Sequence, residues 1–243
     1  MPALNEARTI SSVVAELRAL QHDEQPLLDQ IIVCDNGSRD DTAARAQAAG
    51  AVVVSEPQRG YGAACQRAAA ALAPCSAVLY VDADGSVDVQ DIPPLLSRWQ
   101  DGADLVIGSR RLGTVLPGGM SVPQRLGNRL ACALMSLVWR QPVTDLGPLR
   151  LIDRRALTDL HMCDRGYGWT AEMQCKALNA GLRIDEVPVT VAPRIGRSRI
   201  SGNLRGIAAA GYGILGMVLR QAAIRYRRVL DPTVSIDTRT GEP

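Results

Sequence analysis

The chain has 243 residues and a formal net charge of +2, and 47% of its residues are hydrophobic. This length suits one α/β domain, and the hydrophobic content excludes a chain that is disordered throughout. Six cysteines without C-x-x-C spacing and only two histidines argue against a disulfide framework and a histidine-based metal site. The first residues lack a signal-peptide pattern, and the longest weakly polar run, residues 206–219, is too short to span a bilayer.

The charge is distributed unevenly along the chain. Residues 1–182 have a net charge of −3, residues 183–229 have +7, and residues 230–243 have −2. A basic segment of this kind favours an anionic partner, such as a phosphate group or a membrane surface. We do not expect nucleic acid, because the aromatic residues that stack on bases are scarce.

Helix and strand patterns alternate through the first half of the chain. Apolar residues at helical spacing predict four helices, over 6–20, 41–50, 60–73 and 91–99. Short apolar runs predict four strands, over 30–34, 51–54, 77–81 and 104–107. This alternation indicates βαβ units and predicts an α/β fold with a mostly parallel sheet flanked by helices.

The second half begins with a Gly- and Pro-rich segment, 111–124, which we predict to be a mobile loop. The remaining elements are predicted as helices over 125–139, 170–180 and 203–228 and extended segments over 149–153 and 182–191. Pro188 places the last extended segment at a sheet edge. We therefore expect one domain over residues 1–200, an amphipathic C-terminal helix over 201–230 and a disordered tail over 231–243.

Polar clusters follow three of the predicted strands. They are Asp35-Asn36-Gly37-Ser38, Asp82-Ala83-Asp84 and Gly108-Ser109-Arg110. In parallel sheets, ligands bind beyond the carboxyl ends of the strands, so the three clusters predict one shared site. Two carboxylates spaced as in Asp82 and Asp84 suit Mg²⁺ or Mn²⁺, whose coordination a diphosphate would complete.

Five segments of the first half resemble, in order, the motifs of family 2 glycosyltransferases with the GT-A fold. They are Pro2-Ala3-Leu4-Asn5-Glu6, residues 35–42, Arg59-Gly60-Tyr61-Gly62, Asp82-Ala83-Asp84-Gly85 and Gly108-Ser109-Arg110. Residues 144–150, 172–189 and 194–199 are similar to later segments of that family. The last of these is typical of the branch that contains dolichyl- and polyprenyl-phosphate sugar synthases. The resemblance covers about residues 2–200.

The resemblance implies a metal-dependent, inverting transfer of a sugar from a nucleotide-diphosphate donor, with UDP or GDP as the nucleotide. Residues that it assigns to the nucleotide base and ribose are Pro2, Asn5, Glu6 and Asp35. It also implies that Arg59 lies near the nucleotide and that Asp82 and Asp84 hold the metal and the diphosphate. The acceptor that it implies is a polyprenyl phosphate or another membrane-associated molecule.

Residue roles on the acceptor side depend on the chemistry of the acceptor. If the acceptor is a hydroxyl, a carboxylate must take its proton, and Asp145 is the candidate for that role or for contact with metal and acceptor. The alternative for Asp145 is a structural role as a turn or helix-cap residue. Glu172 has the same two interpretations, a role in the site or a role as a helix cap. Candidates for binding an acceptor phosphate are Arg110, Arg125, Arg129, Arg150, Arg194, Arg197 and Arg199.

The chain departs from the family pattern in three places. Asn36 stands where many relatives have a second Asp, and residues 146–149 differ from the usual Ser-Gly-Phe. No strand pattern precedes Pro2, although the family has a buried strand there. We therefore hypothesise that the natural chain starts upstream of Met1.

Two other functions fit parts of the sequence. A sugar-phosphate nucleotidyltransferase shares the nucleotide-binding half-fold, but it needs a G-x-G-x-R loop where this chain has Asn5-Glu6-Ala7-Arg8. A non-catalytic nucleotide-sugar-binding protein or membrane scaffold is the other alternative, and the intact Asp82 and Asp84 argue against it.

The C-terminal helix has apolar residues on one side and ends in arginines, which is typical of helices that lie on anionic membranes. Packing against the domain or against a second copy in a homo-oligomer is the alternative interpretation. The expected location is cytoplasmic, with peripheral attachment to the inner face of the membrane.

Overall fold

A computed structural model describes residues 1–195 and 204–230, and in the last helix the side chains of residues 211–227 and 230. The strands are β1 (Pro2–Ala3), β2 (Gln21–His22), β3 (Gln25–Pro26), β4 (Ile32–Asp35), β5 (Val52–Ser55), β6 (Ala77–Tyr80), β7 (Leu105–Val115), β8 (Arg150–Asp153) and β9 (Ile184–Val191). The helices are α1 (Ile10–Ala19), α2 (Thr42–Ala48), α3 (Tyr61–Ala70), α4 (Ile92–Gln100), α5 (Val122–Trp139), α6 (Arg154–Asp159), α7 (Trp169–Ala180) and α8 (Leu204–Leu230). A 3₁₀ turn, Val89–Asp91, precedes α4.

The sheet is mostly parallel, as predicted. One part has the order β1-β4-β5 and is parallel throughout, and the other has the order β6-β8-β7-β9. In the second part β7 and β9 are parallel, while β8 runs antiparallel to both of its neighbours. The edge position predicted from Pro188 is confirmed, because β9 ends the sheet. Strands β2 and β3 form a separate short hairpin.

Apolar faces of the helices cover the sheet. Helices α1 and α4 bury Val14, Leu17 and Leu95 against one face, while α7 packs Trp169 and Met173 against β6 and β8. Helices α5 and α8 share a third cluster with α7. In the described part of the chain, no helix combines the length and apolar content that crossing a bilayer requires.

The predicted mobile loop over 111–124 is wrong for much of its length. Strand β7 continues to Val115, because Thr114 and Val115 pair with Thr190 and Val191 of β9 after an irregularity that begins at Ser109. Helix α5 then starts at Val122, where Ser121 and Gln124 form a capping box. Only residues 116–121 remain as the connection.

A cavity of about 310 Å³ lies where the two parts of the sheet meet. Strand β1 is only two residues long and ends the first part, and β6 ends the second. The cavity is lined by residues from both sides, among them Met1, Ile32 and Leu79. The hypothesis of a strand before Pro2 stays a prediction.

Candidate active site

The loop before α1 is fastened to the loop after β4. Asn5 adopts a left-handed conformation with φ 57°. Its backbone N donates to Ser38 Oγ at 2.9 Å, and its side-chain Oδ1 accepts from the backbone N of Arg39 at 2.8 Å. The backbone N of Glu6 donates to Thr42 Oγ1 at 2.9 Å. The first two motifs therefore form one polar wall.

Asn36 performs a task that an ionised Asp is unable to do. Its Nδ2 donates to the carbonyls of Glu56 and Gln58, both at 2.9 Å, and its Oδ1 accepts from the backbone N of Gly60 at 2.8 Å. An ionised carboxylate offers acceptors only, so the two donated bonds depend on the amide. The departure from the family pattern at this position thus ties β4 to the segment that carries Arg59.

Asp35 and Arg59 stay at the surface of this wall. Asp35 is half-buried, and its Oδ1 accepts from the backbone N of Ser38 at 3.1 Å. Arg59 is exposed and donates from Nη2 to the carbonyl of Gly37 at 3.0 Å. Both lie at the edge predicted to receive the nucleotide.

Asp82 and Asp84 follow β6 and face different partners. Tyr61 Oη, from the start of α3, donates to Asp82 Oδ1 at 3.0 Å, and Asp84 Oδ1 accepts from the backbone N of Ser86 at 3.0 Å. Burial and the charge of Asp84 raise the pKa of Asp82 to about 7. The Tyr61 hydrogen bond and the positive charges of Arg194 and Arg110 act in the opposite direction.

Arg194 brings the N-terminal loop and the Asp82-Ala83-Asp84 segment together. Its guanidinium forms a hydrogen-bonded ion pair with Glu6 and lies 3.7 Å from Asp84 Oδ2. Its Nε is buried and has no hydrogen-bond partner among the described residues. Burial raises the pKa of Glu6, and the charge of Arg194 opposes that rise. Arg194 thus places a positive charge beside Glu6 and Asp84, where a metal ion is predicted.

The donor set fits a hard divalent cation in its chemistry. Within the described residues, no group of three or more His, Cys, Asp or Glu side chains is arranged to hold a metal ion. Asp82 and Asp84 supply two carboxylates, and Mg²⁺ commonly uses one or two carboxylates together with substrate phosphates. The residues present therefore suit a metal that arrives with a diphosphate.

Asp145 is bound by Arg110 from β7. The Nε and the backbone N of Arg110 both lie 2.7 Å from Asp145 Oδ2, and Nη2 lies 2.6 Å from Oδ1. The Asp145 side chain is fully buried, while that of Arg110 is 18% exposed. Burial lowers the pKa of Arg110, but the hydrogen bonds and the charge of Asp145 outweigh burial and raise it. Both carboxylate oxygens of Asp145 therefore bind Arg110 and orient its guanidinium.

The segment around Asp145 is held from three sides. Thr144 donates to Glu186 of β9 from its backbone N and its hydroxyl, and it lies 2.6 Å from Ser109 Oγ. Asn128 of α5 accepts from the backbone N of Leu146 at 3.1 Å. The orientation of Arg110 therefore depends on β9 and α5 as well as on Asp145.

Two candidate side chains are structural. Arg150 was predicted to contact an acceptor phosphate, but it is fully buried and donates to the carbonyls of Gly147 and Thr170 and to Gln174. Burial lowers its pKa to about 10. Glu172 is also buried; it accepts from the backbone N of Cys163 and Asp164 and pairs with Lys176 at 2.8 Å.

Arg125 and Arg129 lie exposed on α5. Arg197 and Arg199 lie outside the described residues, as does the predicted tail over 231–243.

Sequence reasoning missed four residues that position the site: Tyr61, Thr9, Asn128 and Glu186. Thr9 Oγ1 donates to the carbonyl of Ala83 at 2.7 Å, between the two carboxylates. Tyr61 belongs to the Arg59-Gly60-Tyr61-Gly62 segment and Glu186 to the segment 172–189, so both stood within quoted motifs. Their partners are distant in sequence, and this is why no role followed from spacing.

The chain matches the family described as glycosyl transferase family 2 over residues 1–160, so it belongs to the family 2 glycosyltransferases. This confirms the resemblance drawn from the motifs and decides against a sugar-phosphate nucleotidyltransferase. An uncharacterised glycosyltransferase of Mycobacterium tuberculosis is 39% identical over 210 residues, which cover 85% of this chain and 90% of the relative. A dolichyl-phosphate hexose transferase of Haloferax volcanii is 30% identical over 228 residues, covering 91% and 93%.

Solved structures show the same fold. Glucosyl-3-phosphoglycerate synthase from Mycobacterium tuberculosis, in complex with Mn²⁺, UDP and glucosyl-3-phosphoglycerate, has a TM-score of 0.72 and 27% identity. The match covers 91% of this chain and 78% of that structure. The same synthase also binds Mg²⁺ with UDP. The predicted GT-A fold is confirmed, and the predicted metals are those that this neighbour binds.

Proposed function

We propose that this chain is a metal-dependent, inverting hexosyltransferase. It moves a sugar from a UDP or GDP donor to a polyprenyl phosphate or another membrane-associated phosphate acceptor. The observation that carries the proposal is the pairing of Arg110 with Asp145 beside the Asp82-Ala83-Asp84 segment. A guanidinium oriented in this way is suited to two anions, the departing diphosphate and an incoming phosphate.

The donor side of the reaction rests on the polar wall. Pro2, Asn5, Glu6 and Asp35 border the nucleotide, with Arg59 at its edge. Asp82 and Asp84 would hold a Mg²⁺ or Mn²⁺ ion, which offsets the charge that develops on the diphosphate leaving group. Arg194 balances the charges of Glu6 and Asp84 before the donor binds.

The acceptor side favours a phosphate over a hydroxyl. An acceptor phosphate is already anionic at neutral pH, so its oxygen can bond to the anomeric carbon without losing a proton to the enzyme. A hydroxyl acceptor would need a general base. Asp145, the carboxylate predicted for that role, accepts three N–H donors from Arg110 and is fully buried. We therefore assign Asp145 as a positioning residue.

The names of two similar proteins indicate different acceptors. The dolichyl-phosphate hexose transferase matches over 93% of its length and supports a lipid phosphate. The solved neighbour forms glucosyl-3-phosphoglycerate, which makes a small phosphorylated acid the second candidate acceptor. Peripheral attachment to the cytoplasmic membrane belongs to the first alternative.

A transfer assay decides between the acceptors. The protein is incubated with Mn²⁺ and radiolabelled UDP- or GDP-hexoses, together with either undecaprenyl phosphate in detergent or 3-phosphoglycerate. We expect label in the organic extract with the lipid acceptor. Transfer to 3-phosphoglycerate alone would overturn the lipid acceptor, and product formation that survives Asp84→Asn would overturn the assigned site. A lack of both transfer and donor hydrolysis would favour a non-catalytic binding protein.

A further inference from the structure

Helix α5 has two apolar faces, and the described residues cover only one of them. Its inner face buries Ala131, Cys132, Met135 and Trp139 against α7 and α8. Its outer side carries Val122, Leu126, Leu130 and Leu137, which are 57–76% exposed. These four residues are four, four and seven positions apart, so they share one face of the helix. We call them the outer α5 face.

We propose that the outer α5 face is the surface by which this protein lies on an anionic lipid bilayer. The proposal rests on the proposed function, because a polyprenyl phosphate resides in the membrane and this docking surface brings the acceptor side of the site to the bilayer. It differs from the sequence-based expectation, which assigned membrane contact to the C-terminal helix.

The charge of the segment that carries this face has a single sign. Residues 105–144 contain five arginines and no Asp or Glu. Arg111, Arg125, Arg129 and Arg140 are exposed, and Arg125 and Arg129 lie one turn apart on α5. A helix with apolar residues on one face and arginines beside them inserts the former at the acyl boundary and sets the latter among lipid phosphates.

The same charge disfavours a second copy of the chain as the occupant. In a two-fold symmetric dimer both copies present the same patch to each other. The arginines of both copies would then surround one interface without acidic partners from residues 105–144. An anionic bilayer buries the apolar face and provides anionic partners for the arginines, whereas a second copy buries the apolar face alone.

The outer α5 face is connected directly to the site. Asn128, on the inner side of α5, holds the backbone of Leu146 next to Asp145. Leu126 and Leu130 flank Asn128 in sequence and point outward. Upstream, the outer part of β7 runs from Arg110 to the exposed Leu112 and reaches α5 through residues 116–121. A bilayer on this face would therefore lie against the helix that supports Arg110 and Asp145.

Vesicle sedimentation tests the proposal with the full chain. The vesicles contain phosphatidylcholine alone or phosphatidylcholine with about 30 mol% of the anionic lipid phosphatidylglycerol. The test variant is the double change Leu126→Glu and Leu130→Glu, and the matched control is Val52→Glu, an exposed strand residue remote in sequence. Leu219→Glu, exposed on α8, tests the C-terminal helix. Circular dichroism verifies that each variant is folded.

We expect wild type and Val52→Glu to sediment with the anionic vesicles, and the α5 variant to lose about tenfold in partitioning. Equal partitioning of wild type and the α5 variant would overturn the proposal, as would a loss confined to Leu219→Glu. Loss of a dimer in sedimentation velocity, without vesicle binding by wild type, would assign the face to a second copy. Because vesicle binding is read without donor or acceptor, a failed transfer assay leaves this result interpretable.

Discussion

The first 104 residues and the rest of the described chain build the site in different ways. Residues 1–104 carry fifteen acidic and seven basic side chains, whereas the second region begins with a segment, residues 105–144, whose charged side chains are all basic. In the first region, polar side chains such as Asn5 and Asn36 bind the backbone of neighbouring loops. In the second, buried charges pair with each other, as Asp145 does with Arg110 and Glu172 with Lys176. The first region provides carboxylates for a cation, and the second provides oriented cations for anions.

The largest expected effect comes from the carboxylates of the first region. Asp82→Asn and Asp84→Asn should each lower kcat/KM for sugar transfer on the order of 100- to 1000-fold, because charge on the leaving diphosphate is no longer offset. The matched control is Asp23→Asn in the β2–β3 hairpin, whose side chain is 92% exposed. Transfer rates at saturating Mn²⁺ measure the effect. If Asp23→Asn is as damaging as the other two, the loss is not specific to the site.

The second effect concerns stability and contrasts the two regions directly. Asp145→Ala leaves Arg110, whose side chain is 18% exposed, without its partner, and breaking a buried ion pair costs about 3–5 kcal/mol. In the first region, Asp40→Ala removes an exposed carboxylate that binds the backbone N of Ala7 and Thr42, which should cost about 1 kcal/mol. Urea unfolding at pH 7.5 measures both. Equal costs would mean that the two regions are stabilised in the same way.

The third effect is a pH dependence at Asp82. Its folded pKa of about 7 lies above the ordinary value of 3.8, so the folded protein retains a proton there that the unfolded chain releases between these values. Asp82 is therefore unfavourable to folding above pH 7, and this penalty fades as the pH falls towards 4. Without metal, Asp82→Asn should raise Tm relative to wild type more at pH 8 than at pH 5. An equal difference at both pH values would contradict the raised pKa.

The two regions also differ in how far the sequence predicts them. The donor motifs follow strand ends, so Asp35, Asp82 and Asp84 could be placed from local patterns. On the acceptor side, the roles follow from contacts between separate elements: Thr144 binds Glu186, and Arg110 binds Asp145. Spacing does not reveal such pairs. Arg150 therefore remained a phosphate candidate in the sequence, although its burial against Gly147 and Gln174 makes it structural.

Secondary structure that depends on pairing with a strand far away in sequence was hardest to predict. The Gly and Pro content of residues 111–124 indicated a loop, but pairing with β9 keeps residues 111–115 extended, and the approach of Gly113 to Val189 requires a glycine there. A Cβ on Gly113 would lie 2.1 Å from the carbonyl oxygen of Val189. The same glycine that signalled a loop thus permits a strand.

The smallest expected effect concerns the junction of the sheet between β1 and β6, within the first region. The chain is extended before Met1 by five residues, either alternating Val and Ile or Gly and Ser only. The apolar extension should raise Tm by several degrees over the Gly/Ser one, because it can lengthen β1 along β4 and fill the cavity of about 310 Å³.

The Gly/Ser extension controls for the altered terminus, since Met1 N donates to the carbonyl of Ile32 at 2.8 Å and both extensions modify that amine. Equal Tm values would mean that an extension of β1 does not fill the cavity. A rise in Tm with unchanged affinity for Mn²⁺ and UDP would show that, in the first region, stabilising the sheet and holding the carboxylates are independent. Its loops would hold the carboxylates independently of how completely the sheet behind them is paired, because Asn5, Thr9 and Asn36 fix those loops through their own hydrogen bonds.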